Sequence, residues 1–195
     1  MADEARGKTR GVGLTVRRTV AVAAAALLVA VVASALKPFV TGLSWRFEAS
    51  KVLVSFSVAD AFEDDRFKEE ILSTRPVTMT FTAEILKNRS MWKDKLIARR
   101  IVEHTVQYDN LTRQFHVESS LDGEQAERRD LATWDEMAAF MSRIQDLPLT
   151  SVANLEPSES GYTVRVHVQV RSDFILWIVP WNVETPWVTE TLKTP

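Results

Sequence analysis

Apolar and polar side chains alternate along several stretches of this chain. In Lys51–Ala59 (KVLVSFSVA), Val52, Val54, Phe56 and Val58 share one side, and Ser55 and Ser57 the other. A period of two belongs to a strand with one buried face. Val77–Lys87 (VTMTFTAEILK) repeats the pattern, with Thr78, Thr80, Thr82 and Glu84 outward. Leu96–Tyr108, Gln114–Ser119 and Tyr162–Arg171 (YTVRVHVQVR) do the same, and Arg128–Ala132 does so weakly. Leu43–Glu48 is either a first short strand or part of a tether. Asp109–Arg113 and Asp122-Gly123 carry turn residues, and Asn88–Asp94 reads as a polar loop.

Two stretches change period. Asp60 and Glu63 form a capping-box pattern ahead of Phe67 and Ile71, which are four apart. Thr133 and Glu136 form a second box. Met137, Phe140, Met141, Ile144 and Leu147 then keep helical spacing up to Pro148. Thr150–Gly161 reads as loop. The expected fold class is α+β: a mainly antiparallel β sheet or sandwich with two short helices. Strands buried on both faces of a parallel sheet would read as continuous apolar runs instead. Phe140 and Val166 are expected in the core.

Ahead of this body stands Thr19–Leu36 (TVAVAAAALLVAVVASAL), eighteen residues without a charge. As a helix it would rise about 27 Å, near the roughly 30 Å of a bilayer's hydrocarbon. Five basic residues against two acidic ones give residues 1–18 a charge of +3, so the remainder carries −5. That asymmetry keeps the head in the cytoplasm and sends the body out. The expected layout is a basic cytoplasmic head at 1–18, a transmembrane or signal-anchor helix at 19–36, and a tether with a first-strand candidate at 37–50. An extracytoplasmic β-rich domain follows at 51–195. The predicted localisation is the inner membrane, single-pass. A signal peptide cleaved after Ala33-Ser34-Ala35 and a buried soluble helix are the alternatives. An acidic body argues against nucleic-acid binding.

The chain has no cysteine, so disulfides, thiolate metal sites and cysteine nucleophiles are excluded. His104 falls on the apolar face of its strand, as a core histidine would. His116 and His167 lie on polar faces of separate strands and would need a third ligand to hold zinc. The acidic residues Glu63, Asp64, Asp65, Glu69 and Glu70 read as a solvated helix face. Serine nucleophile elbows and phosphate-cradling glycine loops are missing. No cofactor, metal site or catalytic residue is predicted, and the chain is not expected to be an enzyme.

The tail is the sharpest feature. Phe174–Trp181 (FILWIVPW) is uncharged, and Trp177, Trp181 and Trp187 recur within eleven residues beside Pro180 and Pro186. These tryptophans are candidates for contact with a bilayer surface or a partner, with plain core packing as the rival.

Several short motifs resemble one bacterial family, catalogued as domain of unknown function 4390. They are Tyr108–Phe115 (YDNLTRQF), Trp134 with Phe140, Asp146-Leu147-Pro148-Leu149 and Leu155-Glu156-Pro157. The valine strand after Tyr162 and Trp181–Trp187 (WNVETPW) complete the match. The resemblance implies a secreted or membrane-anchored protein, genes set beside those of sensor histidine kinases in some genomes, which hints at such a kinase as partner, and no catalytic residues to transfer. The expected function is a membrane-anchored binding or accessory module. The alternatives are an envelope carrier of lipid or another apolar ligand, and, less in keeping with the residues, a hydrolase.

Overall fold

The computed structural model describes residues 37–63, 65–156, 161–175 and 179–192, with the backbone alone at 66, 171–175 and 179–183. The expected membrane segment Thr19–Leu36 lies outside these residues. Among them no helix is long and apolar enough to cross a membrane.

Alternation becomes strands where it was clearest. β1 (Phe39–Glu48) pairs with β2 (Lys51–Ala59), and β2 pairs with β7 (Arg143–Ser151), giving a three-stranded sheet. The larger sheet runs β10 (Val188–Leu192), β8 (Tyr162–Ile175), β3 (Val77–Lys87), β4 (Lys95–Asp109), β5 (Gln114–Leu121), β6 (Glu124–Leu131). β9 (Val179–Glu184) shares the outer edge of β8 with β10. Every pairing is antiparallel. The inward rows Val52, Val54, Phe56, Val58 and Met79, Phe81, Ala83, Ile85 join one buried cluster. Across the gap between the sheets, the Phe56 and Phe81 rings lie 6.0 Å apart. Trp45 bridges the layers at one side, its Nε1–H donating to the Thr191 carbonyl at 3.2 Å. The expected sheet-or-sandwich is therefore a sandwich of antiparallel sheets.

Both helices are present, with corrections. α1 (Asp65–Leu72) buries Phe67 and Ile71, but Asp60 does not cap it. Asp60 sits at φ 58°, in the turn that ends β2, five residues before the helix begins. α2 (Trp134–Met141) has the predicted capping box, Thr133 and Glu136 each bonding the other's backbone. It ends at Met141 and does not continue to Pro148. Ile144 and Leu147 belong to β7, paired with Phe56 and Val54. Three residues of β7 thus span two of β2, a bulge centred on Asp146 at φ 53°. The bulge turns both side chains inward despite their spacing of three, which on a sequence imitates a helix. Phe140 is also corrected: Met137 and Met141 are fully buried, whereas Phe140 only packs against the core's margin. Val166 is fully buried, as expected.

The strands set two poles within the described domain. Phe39 pairs with Ala59, and Phe62, just beyond, packs its ring 6.1 Å from Trp134, itself 6.0 Å from Phe115. This pole therefore holds Lys37, α1, the 109–113 turn and the outer end of β8–β9, which overhangs Val77. The opposite pole holds Ser50, Val152, Glu156 and the loop 88–94.

Candidate functional site

The small sheet has three strands and cannot cover the inner face of the large one. α2 covers part of the remainder. What is left is a groove of about 640 Å³ between the free edges of β6 and β7. Val102, Leu121, Leu131, Phe140, Ile144 and Leu147 supply its apolar lining, and Glu127, Arg129, Glu136, Arg143 and Asp146 its charged rim. The strand edges are guarded. β6 is almost wholly exposed and charged, and β7 carries the Asp146 bulge and Pro148, which has no N–H. The groove therefore suits an inserted side chain or small group better than an added strand.

His104 forms part of the floor, buried as predicted. Its ring lies between Phe81 and Phe140, each 5.0 Å away, and Nδ1 is 3.3 Å from the Met141 carbonyl at the end of α2. Burial pushes its pKa down; the Met141 and Phe140 carbonyls oppose this. The imidazole thus caps the end of the helix at the Met141 carbonyl. Ser119 stands opposite His104 on β5, and Glu127 opposite Ser119 on β6. A nucleophilic relay needs the imidazole between hydroxyl and carboxylate. Here the hydroxyl occupies the middle strand, and Glu127 bonds Arg129.

The outer face of the large sheet carries a polar cluster that alternation alone does not reveal. Glu84 faces outward on β3, as expected, yet is fully buried. It is opposite Arg99 on β4 and Arg165 on β8. Arg99 donates to Oε1 at 2.6 Å and Arg165 to Oε2 at 2.6 Å. The Arg165 guanidinium lies 4.4 Å from the Trp187 ring centroid. His167, one rung along, stacks on the same indole at 5.0 Å.

Trp187 owes this position to its neighbours. Glu184 is opposite Gln169 and Val188 opposite Val166, so Thr185, Pro186 and Trp187 face only two residues of β8. Thr185, nearly buried, donates its N–H to the Val168 carbonyl at 2.9 Å and accepts the Val168 N–H on Oγ1 at 3.0 Å. A side-chain oxygen thereby completes the ladder beside a proline. Of the three candidate tryptophans, Trp187 is 42% exposed on this cluster. Trp181 lies on β9 opposite Ser172, on the edge position that its prolines imply. Trp177 lies outside the described residues.

His116 and His167 are not brought together: β3 and β4 separate their strands. His116 bonds Asp130 and sits 3.7 Å from Asp109, and Asp130 is the main cause of its raised pKa. Among the described residues no group of three metal-ligating side chains is assembled.

The loop 88–94 is not simply polar. Met91 is 88% exposed and Trp92 80% exposed, and neighbouring Leu96 is exposed too. Its warning in the sequence is a tryptophan in a stretch with no apolar periodicity.

A family model described as domain of unknown function (DUF4390) matches residues 40–174. No curated protein matches the chain, and no solved structure does.

Proposed function

The chain belongs to the DUF4390 family, and from that premise we propose that it is a membrane-tethered binding module standing outside the cytoplasm. The observation that carries this reading is the character of the pole where the described domain begins. Phe39 there is 47% exposed and Leu111, on the 109–113 turn, 95% exposed. Arg113 follows on the same turn, and the β8–β9 pair overhangs the sheet. Exposed apolar side chains suit a surface held at the level of phospholipid headgroups, and the charges beside them are mixed, Arg113 and Lys68 with Asp65 and Glu69 of α1. Trp177 and Trp181 fall in the uncharged stretch flanking the β8–β9 connection, and in this reading they contact the bilayer surface or a partner beside it.

The groove is a concave surface of the described domain, and its charged rim and apolar floor fit a protein side chain better than a chemical step. The resemblance to the family suggests the extracytoplasmic part of a membrane sensor histidine kinase as partner. Alkaline phosphatase fused after Pro195 tests the topology. The fusion is expected to be active, with a cytoplasmic reporter at the same point inactive. The reverse pair of results overturns the proposal.

A further inference from the structure

The loop 88–94 exposes apolar side chains at the opposite pole. Arg89 through Leu96 are all exposed, an unbroken run that includes Met91 and Trp92. The loop is held in shape at its base, where the Arg89 N–H donates to the Asp94 carboxylate at 3.2 Å. Asp94 is thus occupied by backbone. Arg89, Lys93 and Lys95 surround the apolar pair, three cations against that single acid in the run 89–96. Among the described residues, Glu156 pairs with Lys87 at 2.9 Å and lies within electrostatic reach of Lys95 and Arg89, so the collar is offset in part by one acid. Exposed indole and thioether in a collar of cations is the composition of an interaction hot spot.

We propose that Met91 and Trp92, collared by Arg89, Lys93 and Lys95, form a docking tip for a protein partner with an acidic, apolar-centred surface. The cations select the sign of that surface. Distance selects a protein over the anchoring bilayer. β3 has eleven residues, so the tip stands about 36 Å from the Phe39 pole, at roughly 3.3 Å per residue. This choice rests on the reading that the Phe39 pole faces the membrane.

The test uses the full chain in its own membranes. A benzophenone amino acid replaces Trp92, and in a control it replaces Leu111 at the other pole. Support requires a protein adduct from position 92 whose captured peptide is acidic. The adduct must also fall about tenfold or more in the Arg89→Glu, Lys93→Glu, Lys95→Glu chain. Melting temperatures of the variants, expected unchanged, show that folding is intact. No adduct, an adduct indifferent to charge reversal, or one on a basic peptide overturns the proposal. The chain lacks cysteine, so Trp92→Cys carries a single polarity-sensitive dye. A spectral shift on phosphatidylcholine vesicles with 30% phosphatidylglycerol would assign the tip to a bilayer and also overturn it. Alkaline carbonate extraction reads the tether separately, since a chain that washes off membranes refutes anchoring whatever position 92 captures.

Discussion

Two guanidinium groups close over the Glu84 carboxylate, one from each neighbouring strand. Each is itself open to water, Arg99 with half its side chain exposed, so neither contributes much alone. Their joint role is to keep a buried carboxylate from standing without a cation. Arg99→Ala should cost about 1 kcal/mol or less, because Arg165 remains in place. The Arg99→Ala, Arg165→Ala chain should cost more than the two single changes together, by roughly 0.5–3 kcal/mol. Urea unfolding of the four-protein cycle measures this, and strict additivity would mean that Glu84 rehydrates at no cost. The cluster was half legible beforehand. Alternation put Glu84 outward, correctly, but which arginines lie opposite it depends on strand pairing.

At the scale of the element, the β9–β10 edge shows how a sheet absorbs a proline. Pro186 has no N–H to donate, and the Val168 N–H opposite the bulge takes its acceptor from the Thr185 hydroxyl in place of a backbone carbonyl. Thr185→Val keeps the shape and removes the acceptor. It should destabilise the domain by about 1–3 kcal/mol, the cost of a buried N–H left without a partner. Thr185→Ser, which keeps the oxygen, should cost less. A Thr185→Val chain that melts with the wild type, while Thr185→Ser loses stability, would show that the methyl group matters and the hydrogen bond does not. The same element-level device explains β7. One bulge at Asp146 lets Ile144 and Leu147 both face the core, and their spacing then counterfeits a helical turn. The helix signal held only where the capping box and the methionines agreed with it, through Met141.

For the whole molecule, two histidines tie stability to pH with opposite signs. His104 is buried and its pKa lies below its ordinary 6.5, so the unfolded chain takes up a proton before the folded one does. Its stabilising effect is complete above about pH 6.5 and is lost as pH falls toward the lowered value. His116 has a raised pKa through Asp130, so its contribution is present below 6.5 and lost as pH climbs past that raised value. Replacing His104 with Leu should shrink the drop in urea midpoint between pH 7.5 and pH 5.5, and His116→Gln should enlarge it. If neither substitution alters that difference, the two imidazoles do not link folding to protons.

The sequence by itself determined the clearly alternating strands, β2, β3, β4, β5 and β8, because a half-buried strand needs a period of two. It also determined the antiparallel class and the burial of His104 and Val166, since both are properties of one strand's faces. Tertiary structure decided the rest. It made β7 a strand because β2 offered a second edge whose bonds and apolar row a longer helix could not satisfy. It buried Glu84 because two arginines met it in register, and it turned Trp187 onto Arg165 and His167 through a bulge. It left Met91 and Trp92 exposed, since no described element packs on them. Each of these outcomes depends on residues far apart in the chain, and a local pattern of apolar and polar positions carries no record of them.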